Sequence, residues 1–154
     1  MRIPWLAAAL VAVDQLTKYW AVTRLKPAGT IPVISGFFSL SYVENPGAAW
    51  GMLSGRQAFL IAFSLVTLGF LFWKRRDLFG LLWCGSVTLS LIAGGVIGNL
   101  IDRARLNHVI DFLDFYWKRS HFPAFNVADS CICVGVFLFI VTQWHHDKKK
   151  AVSG

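Results

Sequence analysis

A mainly α-helical membrane protein with four transmembrane helices is the fold class this sequence predicts, and three observations predict it. Four apolar segments each approach the roughly 20 residues needed to cross a bilayer. Hydrophobic residues make up 56% of the 154-residue chain and charged residues only 15%, with a mean hydropathy of +0.56; a soluble domain carries about a quarter charged residues. The formal net charge of +7 comes from Lys and Arg residues that fall between and beside the apolar segments. That placement fits lipid headgroups and topology signals better than nucleic acid. By length the chain is one domain, residues 1–154.

The first span is expected over about 3–22, with Pro4 in its opening turn. Arg2 and the run from Ile3 resemble a secretory leader, but Asp14, Gln15 and Lys18 interrupt it and no small-x-small cleavage site follows. It therefore reads as a spanning helix. In the connection over about 23–56, Phe38-Ser39-Leu40-Ser41-Tyr42 alternates as a half-buried strand would, and Asn45-Pro46-Gly47 is a turn signal that ends it. The second span, about 57–73, is stopped by Lys74-Arg75-Arg76-Asp77. In the third, about 79–101, Ser90, Gly94 and Gly98 form a small-xxx-small stripe that lets helices approach closely. The connection over about 102–127 carries Phe112, Phe115, Tyr116, Trp117, Phe122 and Phe125, aromatics that suit the headgroup zone. The fourth span, about 128–144, is stopped by His145-His146-Asp147 and Lys148 to Lys150.

Four spans put both termini and the 74–78 turn on one side. That side holds Arg2, Lys74, Arg75, Arg76 and Lys148 to Lys150; the other holds Arg24, Lys26, Arg56, Arg103, Arg105, Lys118 and Arg119. The numbers tie, but the first group is denser and abuts the span ends, where the positive-inside rule has most force. Both termini are expected to be cytoplasmic, with the two long connections together on the far side. Cys84, Cys131 and Cys133 all lie in apolar runs, an odd count that argues against a disulfide framework. They read as small core residues.

Residues 99–129 concentrate the chemistry, with four of the eight acidic residues: Asp102, Asp111, Asp114 and Asp129. Carboxylates next to hydrocarbon are costly and are functional suspects by default. Asp129 opens the fourth span and Asp111 lies on the loop leading to it, so both belong at one membrane depth. Two carboxylates brought together cannot both ionise easily; one then serves as base for a water while the other stays protonated and donates to a carbonyl. Asp114 competes with Asp111 for that role. Asp14 and Lys18, four apart, share a helix face, either as an ion pair that eases insertion or as a brace beneath the site. Asn99 and Arg103 share a neighbouring face with Asp102 beside them. Arg103 has three open roles: pairing with Asp102, clamping a substrate carbonyl, or holding another carboxylate. His108 and His121 flank Asp111, yet no recognisable metal motif is present, and the serines and cysteines lack a paired base.

Five blocks, in order, resemble the lipoprotein signal peptidases, or signal peptidase II. They are Asp14-Gln15-Leu16-Thr17-Lys18, Asn45-Pro46-Gly47-Ala48-Ala49-Trp50, and the run from Gly94 to Arg103 (Gly94-Gly95-Val96-Ile97-Gly98-Asn99-Leu100-Ile101-Asp102-Arg103); Val109-Ile110-Asp111-Phe112 and Phe125-Asn126-Val127-Ala128-Asp129 complete the set. The resemblance implies an aspartyl endopeptidase of the bacterial inner membrane that removes the signal peptide of diacylglyceryl-modified prolipoproteins, cutting just before the lipidated cysteine. It implies Asp111 and Asp129 as the catalytic pair, Asn126 as holder of a dyad carboxylate, and Asn99 and Arg103 as positioners of the substrate backbone. Asp14, Lys18, Asn45 and Asp102, with Gly47, Ala49, Gly98 and Ala128 of the same blocks, are implied as supporting residues. It further implies a small extracytoplasmic β-sheet cradle, much of it from 31–52, and a short surface helix over the site. No metal or other cofactor is implied. Expected partners are prolipoproteins, membrane lipids and the cyclic peptide inhibitor globomycin, with the enzyme a monomer. A small transporter would instead need polar residues through whole spans, and a scaffold would not need these polar groups together.

Overall fold

A computed structural model describes residues 3–80, 82 and 84–153. Arg2 of the orientation argument lies outside them, as do Leu81 and Trp83 of the expected third span. Four long helices carry the molecule: α1 (Ile3–Trp20), α2 (Gln57–Trp73), α3 (Gly85–Leu106) and α4 (Val127–Ser153). Four strands, β1 (Ile31–Ile34), β2 (Phe38–Asn45), β3 (Val109–Trp117) and β4 (Ser120–His121), pair antiparallel in sequence order. Among the described residues, two helices are long and apolar enough to cross a membrane, over Gly85–Leu106 and Val127–Lys148; Gln57–Trp73 is apolar but shorter.

α3 is the central helix, packed between α1 and α4, and its small residues explain why. A Cβ on Gly94 would meet Leu10 and Ala7 of α1; one on Gly95 would run into the carbonyl oxygen of Ala128; one on Gly98 would lie 2.5 Å from Asp14 Oδ2 and 3.2 Å from the Ala128 Cβ. The stripe is thus two-sided, with α1 against one edge and α4 against the other. α3 starts at Gly85 rather than near 79. Residues Arg75–Phe79 form a separate five-residue helix whose Phe79 is buried against Leu71, Leu82, Leu89 and Ile92. The close fit of Gly85 on the Phe79 carbonyl, which any Cβ would break, sets the start of α3. At its far end Asn107 adopts the left-handed conformation (φ 59°) and its N–H bonds to Arg103 O, a polar C-terminal stop that releases the chain into β3.

α1 does not stop at 22. It passes into one π turn, Ala21–Leu25, and a last helical stretch, Lys26–Ala28. The wider turn aims Ala21 and Leu25, both fully buried, at Ile110 and Phe112 of β3, which seats the sheet on the end of α1. The strand expected around Phe38 to Tyr42 runs on to Asn45 and ends at the expected turn. β3 was not expected from the sequence, whose aromatic run hid its alternation. It pairs with β2 in a register that matches Val43 with Asp111 and Asn45 with Val109, with an irregularity between Leu40 and Val43.

Candidate active site

The start of α4 is built by a reciprocal cap. Asn126 accepts the Asp129 N–H on its Oδ1 at 2.9 Å, and Asp129 Oδ2 accepts the Asn126 N–H at 3.2 Å. This is the capping-box exchange, with Asp in the position where Glu or Gln is usual. The next free donor, the Ala128 N–H, is taken by Asp14 Oδ1 at 2.9 Å. A carboxylate on α1 therefore caps α4, and the first turn of α4 fixes the Asp129 side chain.

Asp111 lies on β3, a correction to the loop expected there, and is 1% exposed. Its Oδ1 accepts Asn126 Nδ2 at 2.7 Å and its Oδ2 accepts Asn45 Nδ2 at 3.0 Å. The bulged pairing of β2 aims Asn45 inward from the end of that strand, and Asn45 Oδ1 in turn takes the Gly47 N–H at 3.0 Å. Asn126 thus touches both carboxylates, one by side chain and one by backbone. Burial and, next, the neighbouring Asp129 carboxylate push Asp111 up to about 7.

Beneath the pair, Lys18 donates at 2.9 Å to Asp14 Oδ2, Asp102 Oδ2 and Asn99 Oδ1, and all four residues are buried. Asp14 makes the ion pair with Lys18 that one reading expects, and its other oxygen caps the first turn of α4. Asn99 Nδ2 donates to Asp129 Oδ1 at 2.7 Å. Asp102 also takes the Ile110 N–H at 3.2 Å, tying α3 to β3 beside Asp111. Gln15, which sequence reasoning leaves without a role, donates to Asp102 Oδ1 at 2.9 Å. Its signal was its place one residue after Asp14, where a long amide reaches the same buried acids.

Of the three roles open to Arg103, the ion pair with Asp102 goes to Lys18 instead. The Arg103 guanidinium donates to two carbonyls, Gly47 O at 3.2 Å and Asn99 O at 3.5 Å. Its buried Nε has no hydrogen-bond partner among the described residues. Gly47 itself is fixed by a different close approach: a Cβ there would strike the backbone carbonyls of Gly51 and Met52.

Asp114 lies elsewhere. Three residues beyond Asp111 on a strand, it points to the opposite face, where Ser39 Oγ donates to it at 3.2 Å and His121 Nδ1 lies 2.8 Å away. His121 is therefore spoken for, and no group of three His, Cys, Asp or Glu among the described residues is placed to hold a metal. Cys131 is buried as expected and Cys84 half-buried, but Cys133 is exposed and lines a groove, a departure from the core position expected of it.

That groove is a cavity of about 780 Å³. Asn45, Asn99, Arg103, Asp111 and Asp129 form its polar head; Leu60 and Phe63 of α2, Ile92 and Val96 of α3, and Ile132 and Val136 of α4 form its apolar body. Trp50, at φ 56°, and Phe122 meet edge to face at 5.9 Å beside the head. Ala49–Gly51 form a single 3-10 turn beside the head. The site can hold an extended apolar molecule with one carbonyl presented to two carboxyl groups.

Comparison with known proteins gives one consistent answer. The family profile described as signal peptidase (SPase) II matches residues 6–145. The lipoprotein signal peptidase of Syntrophotalea carbinolica is 48% identical over 142 residues, covering 90% of this chain and 88% of that one. That of Geobacter metallireducens is 45% identical over 150 residues, with 94% and 91% covered. A solved bacterial membrane enzyme structure superposes with a TM-score of 0.79 at 34% identity, over 95% of this chain and 89% of the other.

Proposed function

The chain belongs to the signal peptidase II family, and from that premise we propose that it is an aspartyl endopeptidase that frees diacylglyceryl-modified prolipoproteins of their signal peptides, cutting just before the lipidated cysteine. The observation that carries this reading is the meeting of Asp111 and Asp129 at the polar head of an apolar groove. One carboxylate takes a proton from the attacking water while the other, protonated, gives its proton to the scissile carbonyl oxygen. As the tetrahedral intermediate collapses, the proton taken from water passes to the leaving amine and the hydroxyl returns its proton to the second carboxylate.

The remaining polar groups take roles that fit their contacts. Asn45, Asn99 and Asn126 hold the two carboxylates; Asp14, Lys18 and Asp102 support them from beneath; the unpartnered Nε of Arg103 faces a substrate carbonyl. Gly47, Gly98, Ala49 and Ala128 keep the walls thin where backbones approach. The apolar body takes the signal-peptide helix and acyl chains, and the inhibitor globomycin fills the same groove.

The four long helices span the bacterial cytoplasmic (inner) membrane, as one monomeric peptidase domain with the sheet and both carboxylates on the extracytoplasmic side. Both termini face the cytoplasm. Lys74 over Trp73, at 4.5 Å, and Lys148 over Trp144, at 4.0 Å, support this: each is a cation stacked on an aromatic at the end of a span, as suits a headgroup layer.

The test incubates purified wild type, Asp111→Asn, Asp129→Asn and Asp114→Asn with a diacylglyceryl-modified prolipoprotein, followed on a gel with and without EDTA. Asp111→Asn and Asp129→Asn should each lose roughly a thousandfold or more in rate while staying folded in detergent, because an amide can serve neither as base nor as acid. Asp114→Asn should keep substantial activity, and EDTA should have no effect. Near wild-type cleavage by either of the first two variants would remove the dyad.

A further inference from the structure

Lys18 is a cation 2% exposed that supports the pair from beneath but takes no part in the proton transfers above. Two of its three partners, Asp14 and Asp102, are the ordinary answer to burying a charge. The third, Asn99, does more, because it passes the contact on: its oxygen accepts from Lys18 and its Nδ2 donates to Asp129. A cation drawing on an amide oxygen makes the amide N–H a stronger donor, as hydrogen bonds in series polarise one another. Asp129 also stands in the first turn of the 27-residue α4, where the helix start favours negative charge, and accepts a backbone N–H there. Asp111 feels the Lys18 charge only through space and has no helix start behind it. It sits on a strand, and its donors are the side-chain amides of Asn45 and Asn126; Asn126 shares the Asn99 oxygen with Lys18 only as a second donor at 3.2 Å, so it relays no pull from the cation to Asp111.

We propose that Lys18 acts on the reaction through the Asn99 amide, holding the negative charge of the pair on Asp129 and so leaving the proton on Asp111. Asp129 is then the base that takes the water proton, and Asp111 is the acid that gives its proton to the carbonyl oxygen. Collapse returns one proton from Asp129 to the amine and one from the hydroxyl to Asp111, so the enzyme ends as it began. Lys18 touches no reacting atom and is a positioning residue. The charged groups that face the pair are Asp14 and Lys18 from α1 and Asp102 and Arg103 from α3; α2 offers the groove only the uncharged Ser64 and Thr67, and the 45–50 segment only Asn45 among polar side chains.

This inference rests on the dyad reading, and its test separates the two. The pH dependence of kcat/KM on a lipid-modified prolipoprotein is measured for wild type, Asp102→Asn and the double variant Lys18→Gln/Asp102→Asn. The last two differ only at residue 18, and the double variant loses one charge of each sign, so Asp14 is not left facing a second carboxylate without its cation. The acid limb of the double variant should lie about one pH unit above that of Asp102→Asn, since removing a cation makes the base easier to protonate. Equal acid limbs overturn the proposal and leave Lys18 a scaffold residue, even if turnover falls. If the double variant does not fold, wild type against Asp102→Asn decides. With one carboxylate fewer to satisfy, Lys18 should lower the acid limb; an unmoved or raised limb overturns the proposal. Failure of the dyad reading looks different, as cleavage by Asp111→Asn or Asp129→Asn themselves.

Discussion

Asp111 shows what a buried carboxyl group costs the fold. Its folded-state value, raised to about 7, stands above the 3.8 of a free side chain. For an acid shifted upward, the folded state holds its proton longer than the unfolded state. Its contribution is intact below pH 3.8, and stability is lost as pH rises from there to about 7. Over that window the loss approaches about 4 kcal/mol. Thermal unfolding in detergent between pH 4 and 8 should show wild type losing stability as pH rises, with that part of the slope absent in Asp111→Asn. An Asp111→Asn slope equal to wild type would show that the carboxyl is not strained by its surroundings. The same residue marks how far the sequence could be read. Its competition with Asp114 stayed open without the resemblance because 109–117 was not recognised as a strand. Period-two alternation puts the two aspartates, three apart, on opposite faces. The cap was readable too: Asn126 followed three residues later by Asp129, just before an apolar run, is a helix-start pattern.

At the scale of elements, α3 decides how close α1 and α4 come to one another. Gly98→Ala would put a methyl group 2.5 Å from Asp14 Oδ2 and 3.2 Å from Ala128 Cβ, where Asp14 caps α4. It should destabilise by about 1–3 kcal/mol and lower activity more than stability, since the shift passes straight to Asp129. Gly94→Ala, with 3.2 Å to Leu10 Cβ and 3.3 Å to Ala7 O, should cost less and leave cleavage near wild type. Unfolding midpoints and cleavage rates of the two variants check the contrast; equal activities would show that the cap does not transmit. Apolar length alone placed α2 within its observed bounds. It failed for α3, because hydrophobicity continues through residues 79–84 while Phe79 closes a separate short helix and is buried against the core.

For the whole molecule, the groove is walled by α2, α3 and α4 as well as by the end of the sheet. On the proposed function, a substrate held in the membrane reaches the carboxyl pair along those helices. Cys133 is exposed on this path, one turn below Asp129. Cys133→Trp should fill the groove without disturbing the core, raising KM about tenfold or more, near 1.4 kcal/mol of lost binding, at an unchanged unfolding midpoint. An unchanged KM would show that the substrate enters another way. The polar head was largely legible as a set of residues. The groove was not, since no pattern along one chain shows which helix faces stay apart.

One bond between distant parts of the chain has a consequence for how the protein is made. Asp14 Oδ1 and the Ala128 N–H are separated by 114 residues. At a synthesis rate of about 5–20 residues per second, the acid emerges from the ribosome roughly 6 to 23 s before its partner. During that interval Lys18 is already beside it, four residues along the same helix, and keeps the lone carboxylate tolerable next to lipid. Only when the last helix arrives is Asp129 brought into the site by the closure that completes the fold. On the dyad reading, a chain still short of residue 129 lacks one of the two carboxyl groups, so no half-built copy can cut.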